Sequence, residues 1–317
     1  MAETATRRSV AARSPLRAWA ILLVAGISWG ATYSLAKLAT QDGAEPLGIA
    51  LWQGLVGAAL LGLVETVRRR KLPLDRRHLL FYLVCGFLGT ALPSTLYFYA
   101  APHLPAGVLS ITLGLTPLLT FAGAVLLKLD RYAPGRLLGV FFGIGAVLMI
   151  ALPDTSLPER TAAIWVVAAL AAALSYTAEN LIIAKFRPRS TQSLTLLLGM
   201  MTVATAALVP IVLATGSFVP LAWPWGTVEW SIVGMAAINV LSYWLFIYLV
   251  GTTGPIFATQ MAYVVMVSGV LWGILIFAES HSGWIWGALG VMLAGLALVA
   301  PRRQDPGARA QESEAAE

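Results

Sequence analysis

Glu179 lies inside an apolar stretch, beside Asn180 and one helical turn after Tyr176. Polar groups inside hydrocarbon are costly and usually face a cavity or the interior of a bundle, so each one invites a chemical reading. A carboxylate at that depth can bind a cationic group or carry a coupling proton. The alternative is pairing with a neighbouring helix, or reaching toward the interface near Lys185. Trp29, Tyr33 and Lys37 follow one another at i, i+4 and i+8 and share a helix face. Lys37, at the outer end of its segment, is read as snorkelling to the interface rather than touching a solute. Trp29 and Tyr33 lie deeper, where cavity lining and plain packing are both open.

Thr112, Thr116 and Thr120 repeat the same spacing. Their hydroxyls could line a polar path, or bond their own backbone or a neighbouring helix. Pro117 leaves the carbonyl of Leu113 without its usual helical partner, which marks a kink or hinge. Asn239 with Tyr243, and Gln260 with Tyr263, form two further polar faces. Buried amides need partners, and either a zwitterionic or neutral polar solute or a neighbouring helix could supply them. His78, His103 and His281 are dispersed at segment edges, with neither HExxH nor GxxxxGK[ST] spacing. The expectation is therefore no metal, no cofactor and no catalytic residue.

The elements that must position these residues are membrane spans. The 317 residues are 58% hydrophobic and only 11% charged, with mean hydropathy +0.79. Soluble domains carry roughly 25% charged residues, so the bilayer is the solvent of this chain. Lone Cys85 sits in an apolar segment, which rules out a disulfide framework. A span needs about 20 apolar residues, and ten segments qualify: 17–39, 47–66, 79–100, 106–127, 134–152, 162–184, 192–214, 227–249, 255–277 and 283–300. The run behind Arg7, Arg8 and Arg13 is as long as a full span and is read as an uncleaved first helix.

Charge orients these spans. With the N-terminus placed in the cytoplasm, 19 of the 21 basic residues fall in inner segments, and only Lys37 and Arg160 lie outside. Both termini are then cytoplasmic. The pI near 9.7 is explained by topology, and no nucleic acid partner is expected. Trp52, Trp165, Trp223, Trp225, Trp230, Trp284 and Trp286 fall at outer boundaries and Trp19 at the inner one, as interfacial belts require.

A weak internal repeat organises the ten. Pro105, Asp130 and Gly139 are spaced by 25 and 9 residues; Pro255, Glu279 and Gly287 are spaced by 24 and 8. Five spans per copy invert the second half, an architecture of many secondary transporters. The expected fold class is an all-α integral membrane protein of ten transmembrane helices in two inverted five-helix repeats. Its expected divisions are an N-terminal tail 1–16, repeats 17–152 and 162–300, and a disordered tail 301–317. Gly139 with Gly143, and Gly283 with Gly287, are read as small-xxx-small packing pairs.

The run Ser28-Trp29-Gly30-Ala31-Thr32-Tyr33-Ser34-Leu35-Ala36-Lys37 resembles the first-helix signature of EamA-type members of the drug/metabolite transporter superfamily. Tyr97 to Ile150 is similar to that family's third to fifth helices, with Ala106-Gly107, Thr116-Pro117 and Gly139, Gly143 and Gly145 in order. Tyr243 to Val299 repeats the plan and ends its ninth helix with Glu279. Two positions depart from the pattern: Gln53 stands where the family often has arginine, and Met266 replaces a proline analogous to Pro117.

The resemblance implies a secondary transporter that exports a small metabolite, amino-acid-like or otherwise amphipathic, across the cytoplasmic membrane by alternating access. The expected solute contacts are Trp29, Tyr33, Tyr97, Thr112, Thr116, Tyr176, Glu179, Asn180, Asn239, Tyr243, Gln260 and Tyr263. Expected partners are a small-molecule solute, the lipid bilayer and a coupling proton, with a homodimer left open. Two rival readings are a membrane-embedded lipid-modifying enzyme and a non-transporting sensor or scaffold. The scattered histidines and lone intramembrane acid speak against the first, and the short loops against the second.

Overall fold

The structure, a computed structural model, describes residues 15–41, 43–153, 156–157, 159–188 and 191–300. The expected N-terminal anchor with Arg7, Arg8 and Arg13, the tail 301–317 and Arg189 lie outside the described residues. Ten helical passes follow in order: α1 Pro15–Gln41, α2 Pro46–Val67, α3 Arg76–Ala100, α4 Ala106–Leu126, α5 Pro134–Ala151, α6 Ala163–Phe186, α7 Ser193–Thr215, α8 Thr227–Thr253, α9 Met261–Phe277 and α10 Gly283–Val299. No strand occurs among the described residues. The first eight have the length and hydropathy of spans, while α9 and α10 are apolar helices of 17 residues, near the short limit for crossing a bilayer.

Local chemistry sets the ends. Proline opens α2 and α5, where its missing N–H costs nothing and its fixed φ suits a first turn. Asp75 accepts from the backbone N–H groups of Arg77 and His78 and so caps α3. The expected ninth span, 255–277, is divided: a single turn Pro255–Ala258 precedes a break at Thr259 and Gln260, and α9 proper starts at Met261.

Two passes are irregular, each beside a proline. In α3, regular helix to Gly86 gives way to a π-helical turn over Phe87–Ala91 before helix resumes at Leu92. Pro93 has no N–H and its ring would clash with the carbonyl four residues back, at Gly89; widening the turn relieves that clash. In α4, the helix stops at Leu113 and restarts at Thr116. The break lies where Pro117 removes the partner of the Leu113 carbonyl.

Helix contacts run largely between the two repeats. α1 packs on α8 and α9, α5 on α10, and α2 on α7 and α8. Lipid chains are as apolar as leucine, so close backbone approach at small residues drives such packing. A Cβ on Gly139 would lie 2.5 Å from the Gly295 carbonyl oxygen, and one on Gly295 would lie 2.7 Å from that of Gly139. The small-residue contact of α10 is therefore Gly295. Gly283 faces open space and Gly287 meets only the Met149 methyl, so that expected pair does not form the seam. Large apolar side chains such as Leu63, Leu126, Phe141 and Leu275 point outward, as a lipid-facing surface requires.

Trp19, Trp230, Trp284 and Trp286 are exposed near helix ends and Trp223 in the loop before α8, whereas Trp52 donates to the Val219 carbonyl at 2.6 Å and Trp165 stacks on His103. Trp272 instead donates to the Ile27 carbonyl at 3.0 Å and ties α9 to α1.

Candidate functional site

Glu179 stands on α6 opposite the π turn of α3. Its carboxyl group fills the space that a side chain at position 89 would occupy, so Gly89 alone permits the approach. Among the described residues Glu179 makes no hydrogen bond and no ion pair. It lies within electrostatic reach of Tyr176, Tyr243 and Cys85. Tyr176 is hydrogen-bonded to Ser94, just beyond the π turn, and lies within the same reach of Tyr33 and Tyr97. The rings of Tyr33 and Tyr97 are 5.7 Å apart and tilted by 59°. The buried Tyr97 hydroxyl has no partner among the described residues.

One acid and four tyrosines from α1, α3, α6 and α8 are thus gathered in one region spanning both repeats. Tyr33, Tyr176, Glu179 and Tyr243 all keep part of their surface accessible. Chemically, the group offers an ionisable carboxyl group, aromatic faces suited to cations or rings, and phenolic hydroxyls.

The other expected contacts are placed as follows. Thr112 is fully buried and donates to the Val108 carbonyl at 2.8 Å, the backbone-bonded arrangement. Trp29 packs partly buried against Leu22, Ala25 and Leu249. Asn180 donates to Thr120 at 3.4 Å, joining α6 to the second segment of α4. Thr116 accepts through its main-chain oxygen from Thr177 at 3.5 Å. Asn239 is partly buried one turn before Tyr243. Gln260 occupies the N-cap position of α9, and Tyr263 packs against the main apolar core. At the departing position, Met266 is buried in α9 and its carbonyl accepts from Ser110 of α4 at 3.2 Å.

Two ionic features escape a reading of the chain alone. Lys37 pairs with Glu279 at 2.7 Å rather than snorkelling, and also lies 4.7 Å from the Phe277 ring centre. Glu279 in turn accepts from the backbone N–H of Ala106 at 2.9 Å and of Gly107 at 3.5 Å. It therefore caps α4 from the other repeat, where the helix dipole favours an anion. The His281 imidazole lies 3.6 Å from Glu279. Burial pushes its pKa down, Glu279 acts in the opposite sense, and Lys37 adds to the lowering. At the opposite end of the bundle, buried Glu65 on α2 pairs with Arg68 at 3.0 Å and accepts from Thr195 of α7. The recurrence of an acid at 130 and 279 was the available signal for the first feature; nothing in the local pattern pointed to the second.

The fit of Glu179 against α3 yields a first prediction. Gly89→Val should displace the carboxyl group, because the new Cβ would coincide with it. Overpacking of this kind typically costs about 1–3 kcal/mol. The thermal unfolding midpoint in detergent should fall accordingly. A midpoint equal to that of the native chain would refute the close fit at Gly89.

A protein-family model described as the EamA-like transporter family matches this chain twice, over residues 16–152 and 163–300. The uncharacterized transporter YyaM of Bacillus subtilis (strain 168) is 30% identical over 139 residues, a match spanning 43% of this chain and 44% of that protein. A solved crystal structure superposes with a TM-score of 0.61 over 92% of this chain and all of its own, at 19% identity; this likeness speaks to the fold. With the family model spanning both five-helix halves, the chain is a multi-pass membrane protein that belongs to the EamA-like transporter family.

Proposed function

We propose that the protein is a secondary transporter that exports a small amphipathic metabolite from the cell by alternating access, with Glu179 as its charge-bearing group. One observation carries this reading: an acid with no ion-pair partner among the described residues, facing tyrosines from helices of both repeats. A buried charge must be paired or neutralised. A carboxylate so placed takes either a proton or the cationic end of a solute, and these two uses exclude each other at one site. Tyr33, Tyr97, Tyr176 and Tyr243 would supply aromatic faces for the apolar part of the solute. Asn180, Asn239, Gln260, Thr116 and Tyr263 belong to the reading as flanking polar contacts.

The proposed setting is the cytoplasmic membrane with both termini inside, as the placement of the basic residues supports. The solute is amino-acid-like or of similar size, with polar and apolar parts. Screening metabolites and toxic analogues in cells lacking or overproducing the protein, followed by flux in proteoliposomes, tests the proposal. The expected result is movement of at least one solute down its gradient, at rates well above protein-free vesicles. A chain locked open to one side under all conditions would sink it.

A further inference from the structure

The two ends of the bundle differ. From Ala106 to Thr112 every residue of α4 is buried, and this segment packs chiefly on α9, α6 and α1 while also touching α5 and α10. Beyond the break the contacts with α5, α6 and α10 continue while α1 and α9 drop out as main partners, and Thr116, Pro117, Leu119 and Thr120 all keep accessible surface. The first segment of α4 is thus sealed against α1 and α9, and the second stands away from them.

The sealed end is where Lys37, Glu279 and the start of α4 meet. Glu279 is 7% and Lys37 18% exposed at the side chain. The Glu279 carboxylate crosses from repeat two to repeat one and satisfies two orphan N–H groups of α4 while neutralising Lys37 of α1. The groups facing it are Lys37, His281 and the α4 amides. With burial disfavouring its protonated form, His281 leaves Lys37 as the counter-charge. Close packing needs Gly273 here, since a Cβ there would run into Glu279.

The repeat supplies a second set at the other end. Asp130 follows α4 as Glu279 follows α9, and Lys185 ends the Ala-Lys run of α6 as Lys37 ends that of α1. Here the set is apart. Asp130 is exposed and paired with Arg136 at 3.0 Å, and it accepts from the Arg131 N–H. Lys185 is exposed and lies 5.4 Å from the Phe186 ring centre.

We propose that Lys37, Glu279 and the α4 N-terminus form a latch that holds one end of the transport path shut, and that Asp130 and Lys185 pair as its counterpart when the other end closes. One latch is made and the other unmade in this conformation. An inverted repeat gives the same residue types to both ends, so alternating access becomes the exchange of one acid–lysine pair for the other.

The latch rests on the alternating-access reading, but its test needs no substrate. Ser110 is buried one turn inside the closed end, at the α4–α9 crossing. In a Cys85→Ser, Ser110→Cys chain, labelling by a membrane-impermeant thiol reagent from the Lys37 side reports opening of that end. Glu279→Gln should raise the labelling rate about tenfold, equivalent to about 1.4 kcal/mol. Asp130→Asn should lower it below the starting chain, because the competing latch is then weakened. Lys37→Arg, which keeps the charge, should stay near the starting rate. Opposite signs at Glu279 and Asp130 cannot come from general unfolding, which would raise both. An unchanged rate in Glu279→Gln, or a rate in Asp130→Asn that is unchanged or raised, overturns the proposal. Failure to find a transported solute would count against the function and leave these rates as they are.

Discussion

Replacing Glu179 with glutamine is expected to abolish pH-driven uptake, reducing it to the level of protein-free liposomes, while solute counterflow continues. Glutamine keeps nearly the same shape, so the contact with the π turn at Gly89 survives. What is lost is the capacity to hold or release a proton. If the carboxylate carries the coupling proton, a pH gradient then has nothing to act on, whereas exchange of solute for solute needs no net protonation. If the carboxylate instead pairs with a cationic part of the solute, exchange collapses as well, because a neutral amide cannot neutralise a buried cation. The two uses of Glu179 thus separate in one variant. Unchanged pH dependence would remove Glu179 from the coupling role altogether.

A comparably large effect, on stability rather than transport, is expected from Gly139→Leu. The added Cβ would meet the Gly295 carbonyl oxygen at 2.5 Å, the Val299 side chain at 2.8 Å and the Leu298 Cβ at 3.1 Å. Backbone cannot step aside as a flexible side chain can, so α5 and α10 must separate. Overpacking costs typically 1–3 kcal/mol, and this site belongs at or above the top of that range. Gly145 is the control: it lies on the same helix, and a Cβ there would meet nothing within 4 Å, so Gly145→Leu should change little. Thermal unfolding in detergent distinguishes them. Equal midpoints for the two variants would show that the seam is not where α5 and α10 are held.

The spans were legible because hydropathy over about 20 residues is a one-dimensional property, and the bilayer makes it the dominant one. The repeat was legible for the same reason, through the acids at 130 and 279 and the helix openings at Pro105 and Pro255. The site was legible only in part. Glu179, Tyr176, Tyr33, Tyr97 and Tyr243 stood out as polar or aromatic groups in apolar surroundings, and the structure gathers them. Trp29 and Thr112 stood out equally well, yet one packs in an apolar cluster and the other bonds its own helix. A helical pattern shows which residues share a face, and not which neighbour that face meets.

Longer-range features were beyond such reading. Lys37 and Glu279 are 242 positions apart, so their pairing depends on how the two repeats interlock. The π turn is a different case: Pro93, Gly86 and Gly89 are all visible in one segment. A proline in a helix can be met by a kink, a break or a widened turn, and α3 and α4 adopt different answers to the same local problem. The seam between α5 and α10 also shows the limit of pattern reading. Several small residues line α10, and only the three-dimensional crossing selects Gly295.

The widened turn in α3 constrains which changes of length the pass tolerates. Each residue advances an α-helix by about 100°, and a π turn absorbs one residue more than regular winding would. Everything after it is therefore rotated by about that angle relative to a straight helix. Ser94 and Tyr97 owe their direction, toward Tyr176 and Tyr33, to this single surplus residue. Deleting one residue between Phe87 and Ala91 would leave composition, hydropathy and span length almost untouched, yet turn the second half of the pass to a different neighbour. Register in that short stretch, more than the identity of its side chains, is what the aromatic group depends on.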